Sequence, residues 1–212
     1  FGDDIGELKY YWLRSVTLDD MELIISRTGW SSELGYEIYL QDNSRGTDLW
    51  DAIMSAGQPF GLKPGHTSTI RRIEGGMLSY HADMDNMTNP FELGLDRLVA
   101  LDSDADFIGK SALRAIRDKG VTRKQIGLII DGEAFAGPNT RFWPVICNDL
   151  VVGKVTSAVY SPRLEKNIAM AMIELPSFEA DGAVSVETSS GLRSAHITGL
   201  PFYDPSKNLA KG

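Results

Sequence analysis

The chain has one cysteine, Cys147, and only three histidines, His66, His81 and His196. A single cysteine excludes an intrachain disulfide framework and a site built from several thiolates. It also fits a reducing cytoplasm. The histidines are scattered and lack the spacing of motifs such as H-E-x-x-H, so no metal site is expected. Positive charge is short as well. Lys and Arg number 21 against 29 Asp and Glu, a formal net charge of −8. That sign is wrong for a general nucleic-acid binder or for an anionic lipid surface. No apolar run approaches a membrane span. No Ser-His-Asp set is recognisable, and "GEAFAGP" is not followed by the Lys-Ser/Thr of a phosphate loop. The N-terminal "FGDDIGELKYY" has neither a basic n-region nor an apolar h-region and does not read as a signal peptide. It reads as the middle of a protein, so a missing N-terminal half is expected.

What is present is ordinary globular material. Apolar residues make up 42% and charged residues 24%, and 212 residues suit one large or two small domains. Residues 7–17 and 21–28 read as two strands joined by "LDD", with "GYEIYLQ" as a third. Residues 45–57 are predicted helical, with Leu49, Ile53 and Met54 on one face and Gly57 at the C-cap. "LKPGHTS" is a loop. Helix resumes in "STIRRIEGGMLSY", with Ser68 as N-cap, and "HADMDNMTNPFELG" is irregular. A further helix is predicted over 106–118. After Gly120 come short alternating apolar runs with "NDL" and "SSG" as hairpin turns. These predict about six strands in a small barrel or sandwich. The fold class is therefore α+β, with an expected boundary near Val121 dividing 1–120 from 121–212.

The order of "SRTGW…GYEIYL", "GLKP", "RRIEGGMLSY", "NPFELGL…DFIGKSAL", "GKVTSAVYSPRLEKNIAMAMI" and "LPFY" resembles the glycine-cleavage T-protein (aminomethyltransferase) family. It covers roughly the second half of a member. The resemblance implies a tetrahydrofolate-binding region followed by a C-terminal antiparallel β-barrel. Aminomethyltransferases carry Ala-Arg-Asp-[Ser/Thr]-Leu-Arg-Leu-Glu where this chain has "TSTIRRIE". Ser68 replaces an Arg of the folate site and Thr69 replaces the Asp. "GWSSEL" likewise replaces Gly-Tyr-Thr-Gly-Glu. Both departures look like the branch that demethylates small methyl donors, notably dimethylsulfoniopropionate, to give methylthiopropionate and 5-methyltetrahydrofolate. A branch acting on methoxylated aromatics is also similar. Two other readings stay open: the aminomethyltransferase of glycine cleavage, and the folate-binding domain of a sarcosine or dimethylglycine dehydrogenase. An iron–sulfur-assembly relative is disfavoured by the absence of its Cys motif. The implied partners are a small sulfonium or methylamine substrate and the missing half or a second copy of the chain.

The resemblance assigns Glu37 to the pterin of tetrahydrofolate. A carboxylate can accept two hydrogen bonds from the pterin N–H and amino group. Alternation places Glu37, Gly35 and Tyr39 on one strand face and Tyr36 with Ile38 on the other. The plain alternative is an acid on the solvent face of an edge strand. A sulfonium cannot donate a hydrogen bond and is best held by an aromatic face. Trp30 and Tyr39 are the candidates, although Trp30 also reads as a core or lid aromatic. Adjacent helical residues point about 100° apart, so Arg71 and Arg72 cannot both face one site. Arg72 matches the second Arg of the family motif and is assigned to the cofactor. The alternative for Arg72 and Glu74 is a pair of helix surface charges. Tyr160 is a further candidate substrate contact, while Ser161 and Asn167 are expected to fix a turn. The family's catalytic Asp is expected upstream, so no catalytic residue is assigned in this chain.

Overall fold

The computed structural model describes residues 1–175 and 183–211. They form two compact units, Phe1–Arg71 with the C-terminal residues from Ser206, and Arg72–Pro205.

The first unit is built on a three-stranded antiparallel sheet in the order β1 (Leu13–Leu18), β2 (Met21–Ser26), β3 (Glu37–Leu40). Asp19 and Asp20 make the β1–β2 turn with φ of 45° and 63°, the left-handed pair that matches strand twist in a tight hairpin. The predicted strand over 7–17 is shorter than expected. Asp3–Glu7 form a 3-10 turn and pairing starts only at Leu13. One sheet face carries Met21, Leu23, Ile38 and Leu40, and helix α1 (Gly46–Gly57) packs on it through Leu49 and Ile53. Gly57 ends α1 in ordinary helical geometry. The left-handed stop falls at Gly61, φ 73°, after a 3-10 turn over Gln58–Phe60. A short C-terminal helix, α4 (Asn208–Lys211), belongs to this unit. Arg27 is buried and donates to the carbonyls of Leu8 (2.9 Å) and Lys211.

Helix α2 (Thr69–Glu74) starts where expected: Ser68 Oγ accepts from Arg71 N at 3.2 Å. It stops after one and a half turns, at the Gly75–Gly76 pair, with Gly76 at φ 63°. Helix α3 (Lys110–Lys119) begins four residues later than predicted and is followed by Gly120 at φ 80°. Lys110 Nζ ties its first turn to the carbonyls of Ser103 and Ala105, each at 2.6 Å.

The alternating runs after Gly120 close into a six-stranded antiparallel barrel, which settles the choice between barrel and sandwich. The strands are β4 (Arg123–Ile130), β5 (Trp143–Cys147), β6 (Leu150–Ser161), β7 (Lys166–Glu174), β8 (Ala183–Thr188) and β9 (Gly191–Thr198), in the order β4-β7-β6-β5-β8-β9. Asn148 and Asp149, at φ 50° and 61°, make the β5–β6 turn. Leu128, Val145, Val155, Ala158, Ala169, Ala171 and Val186 fill the interior, each without solvent exposure. Small Ala residues face larger Val and Leu across it, as a narrow barrel requires. The segment 72–105 packs on the barrel's outside. Gln125 N donates to Glu92 O (2.7 Å), and Arg123 pairs with Glu92 (2.9 Å).

Candidate functional site

The expected alternation along β3 holds. Register pairs Ser26 with Glu37 and Ile24 with Tyr39, while Ile38 and Leu40 face α1. Glu37 and Tyr39 therefore stand side by side on the outer face of the sheet. Both are exposed, Tyr39 by 51%. β1 extends this face: Leu13 lies opposite Ser26, and Ser15 opposite Ile24. Trp30 lies in the 27–36 connection that leads into β3 and is 41% exposed, so it is not a core residue of this unit.

Glu37 is oriented by neighbours that the sequence reading passed over. Thr28 Oγ1 donates to Glu37 Oε2. With that proton committed, the Ser26 hydroxyl donates to Thr28 Oγ1 at 2.5 Å. Ser26 is buried, so the chain of hydroxyls anchors the carboxylate to the sheet. Among the described residues nothing bonds to Glu37 Oε1. A carboxylate with one oxygen anchored and the other open, on a strand rather than a loop, fits the two-point edge of a pterin. The signal was adjacent: "SRTGW" places Ser26 and Thr28 two residues apart, at the end of a strand paired with Glu37.

An open concavity of about 510 Å3 lies farther along the same sheet, lined by Ser15, Thr17, Glu22, Ile24 and Gln41 among others. Glu37, Tyr39 and Trp30 are not in its lining.

Arg72 and Glu74 are not surface charges, so the alternative of an exposed, charged helix face is set aside. Both are buried, and each has a partner far along the chain. Arg72 donates to Asp83 (2.9 Å), to Ser157 Oγ (2.8 Å) and to the Met77 carbonyl (3.2 Å). The carboxylate of Asp83 also accepts from Ser79 N and from the hydroxyls of Thr156 (2.6 Å) and Ser157 (2.7 Å). A bulge in β6 between Val155 and Ser157 makes this possible. The extra residue turns two consecutive hydroxyls toward one acid, while Val155 and Ala158 stay in the core. Glu74 accepts from Ser161 Oγ (2.6 Å) and pairs with Arg163 at 3.4 Å. Arg71 diverges from Arg72 as the helical angle requires and pairs with Glu33 at 3.4 Å.

Tyr160 is half-buried on β6, opposite Asn167 of β7. Ser161 and Asn167 fix turns, as expected. Leu164 N donates to Ser161 Oγ, and the Asn167 amide is bonded around the 130–135 backbone. Among the described residues no three His, Cys, Asp or Glu side chains gather as a metal site, and no helix is long and apolar enough to cross a membrane.

The model of the GCVT N-terminal domain matches residues 3–103, and that of the glycine cleavage T-protein C-terminal barrel domain matches 123–204. The chain belongs to the glycine-cleavage T-protein family. Members of this family are enzymes that transfer one-carbon units with tetrahydrofolate. Dimethylsulfoniopropionate demethylase DmdA of Ruegeria pomeroyi is 33% identical over 93% of the chain. Aminomethyltransferases of Halothermothrix orenii and Prochlorococcus marinus are 34% and 37% identical over 94% and 85% of it. The crystal structure of glycine cleavage system aminomethyltransferase T from Bartonella henselae superposes with a TM-score of 0.78 at 21% identity, covering 93% of this chain and 53% of that one. That likeness shows a shared fold. The chain spans about half the length of the relatives it matches, 53% of the demethylase and 55% of the Halothermothrix enzyme.

Proposed function

We propose that the protein carrying this chain is a tetrahydrofolate-dependent methyltransferase that demethylates dimethylsulfoniopropionate. The observation that carries the folate part is the outer face of β3, where Glu37 is anchored through Thr28 and stands beside Tyr39. The donor is argued from Ser68, which caps α2 where an aminomethyltransferase has a guanidinium, and from the similarity to the demethylase. Bound tetrahydrofolate would supply N5 as methyl acceptor, and the sulfonium would leave as a neutral thioether. Glu37 then holds the pterin edge, and Trp30 and Tyr39 offer aromatic faces to the cation, worth roughly 0.5–2 kcal/mol. The donor is already activated by its charge, so the protein's task is to orient it, and tight ground-state binding of the cation would not speed the step.

Arg72 and Tyr160 are retained as a cofactor and a substrate residue on the family resemblance. Through Asp83 and the Met77 carbonyl, Arg72 would serve the cofactor site by holding the 77–83 backbone in place. The Val121 boundary belongs to the same proposal, supported by the start of β4 at Arg123. So does a cytoplasmic location.

The alternative is the aminomethyltransferase of glycine cleavage, supported by relatives of that name at 34% and 37% identity. A folate-binding domain of a sarcosine- or dimethylglycine-dehydrogenase type is a third reading. The deciding assay gives the whole protein dimethylsulfoniopropionate, a glycine-cleavage intermediate or a methoxybenzoate, each with and without tetrahydrofolate. Methylthiopropionate formed only with the folate is the expected result. No folate-dependent turnover of any sulfonium would reject the reading.

A further inference from the structure

We infer that one mouth of the barrel is a second binding site, for a small carboxylate with a flat apolar body. A cavity of about 380 Å3 opens there, between the 131–142 connection and the β8–β9 turn. That volume is in the range of small-ligand sites. Its lining includes Arg141, Arg193, Phe135 and Trp143, with Glu133 as the one acid.

Arg193 occupies a position that the barrel would ordinarily give to an apolar side chain. Its cross-strand partner is Val186, which pairs in turn with Val145, and both valines are wholly buried. The guanidinium therefore stands on an inward-facing row at the barrel end. It lies over the Phe135 ring at 4.9 Å and donates through Nη1 to the Glu133 carbonyl at 2.7 Å. Gly132, at φ 99°, lets the chain pass close beneath it: a Cβ there would come within 3.4 Å of Nη1. Among the described residues no carboxylate pairs with Arg193, and no acceptor engages Nε or Nη2. Those two groups form the fork that a carboxylate fills with two parallel hydrogen bonds. Arg141 is exposed, and among the described residues no acid pairs with it either. Phe135 packs on Trp143, ring centroids 5.1 Å apart, giving the cavity an aromatic wall.

The frame is held before any ligand arrives. Asn167 on β7 accepts from Phe135 N (2.9 Å) and donates to the carbonyls of Ile130, Gly132 and Glu133. Asn139 pairs with both backbone groups of Ala158 and donates to the Arg141 carbonyl. A connection clasped at both ends by buried or half-buried amides loses little entropy on binding. A guanidinium fixed on its ring with one fork edge open, in a hydrogen-bonded cavity that also offers an aromatic wall, is suited to an aryl carboxylate. The site lies wholly within the second unit and does not depend on the methyl-transfer reading.

Benzoate is the probe and benzamide its neutral control, titrated into the 212-residue chain by calorimetry and by NMR of the aromatic resonances. Saturable benzoate binding that shifts Phe135 and Trp143 is expected, with benzamide at least about tenfold weaker, since charge-assisted hydrogen bonds are lost. Arg193→Gln should weaken benzoate by about tenfold or more and leave benzamide unchanged. Arg193→Lys, which keeps charge but not the fork, should fall between. Equal affinity for the two probes, or no binding of benzoate, overturns the proposal on the unmodified chain, whatever the variants do. Unaltered benzoate affinity in a folded Arg193→Gln chain also overturns it.

Discussion

The outer face of the three-stranded sheet and the outer face of the barrel treat charge in opposite ways. On the sheet, Glu37 is exposed, tethered by hydroxyls and open at one oxygen. On the barrel, Asp83 and Arg72 are buried, matched to each other, and saturated by Ser79, Thr156 and Ser157. The first arrangement leaves capacity for a ligand. The second has none to spare and serves to weld the 72–105 segment onto β6. An acid within a strand pairing and an acid in a loop therefore exchanged the roles their local settings suggest.

The sharpest test of that contrast is Asp83→Ala. It leaves Arg72 buried without its carboxylate and should cost about 3–5 kcal/mol in urea unfolding. A loss below about 1 kcal/mol would put Asp83 with the exposed acids. Next comes Leu128→Ala in the barrel core, expected to cost about 3 kcal/mol from lost burial and the cavity left behind. A much smaller loss would mean that the barrel collapses around the gap. Glu37→Gln should shift stability by no more than about 0.5 kcal/mol, as exposed substitutions do, while weakening tetrahydrofolate binding measurably. Unchanged folate affinity would remove Glu37 from the pterin role and erase the contrast at its sheet end.

The smallest effect is a pH dependence in the sheet unit. Asp42 caps the 3-10 turn Asn43–Arg45, where Ser44 donates to its carboxyl from the hydroxyl (2.7 Å) and the amide (3.0 Å). These bonds, the hydroxyl first, hold the Asp42 carboxyl below its ordinary range. A lowered folded value means that the cap contributes above the usual carboxylate range and is lost as pH falls through the folded value. NMR titration of the Ser44 amide should show a transition displaced downward and abolished in Asp42→Asn. A transition at the ordinary position would deny the cap any linkage.

Much of the fold was legible because it rests on short-range rules. The Asp19–Asp20 and Asn148–Asp149 turns, the Ser68 cap and the Gly120 stop each depend on residues within a few positions of one another. The alternation that turns Ile38 to the core and Glu37 outward is equally local. The misreadings have physical causes. "ELKYY" has strand propensity, yet residues 3–7 form a 3-10 turn and Tyr11 takes a positive φ before pairing begins. The alternative that made Arg72 and Glu74 surface charges rested on exposure being the default for such side chains. Their partners Ser157 and Ser161 lie 85 and 87 residues away, beyond any local pattern. The β6 bulge that brings Thr156 and Ser157 to Asp83 leaves no mark in "VTSAV".

The sequence alone settled the family, the barrel's strands and the face on which Glu37 and Tyr39 stand, because ordered motifs and two-residue periodicity survive without coordinates. Tertiary structure alone decided which charges are spent. Whether a carboxylate is open like Glu37 or saturated like Asp83 depends on which distant strand delivers its donors. Burial makes that choice costly to reverse, since an unpaired charge away from water must give up its solvation.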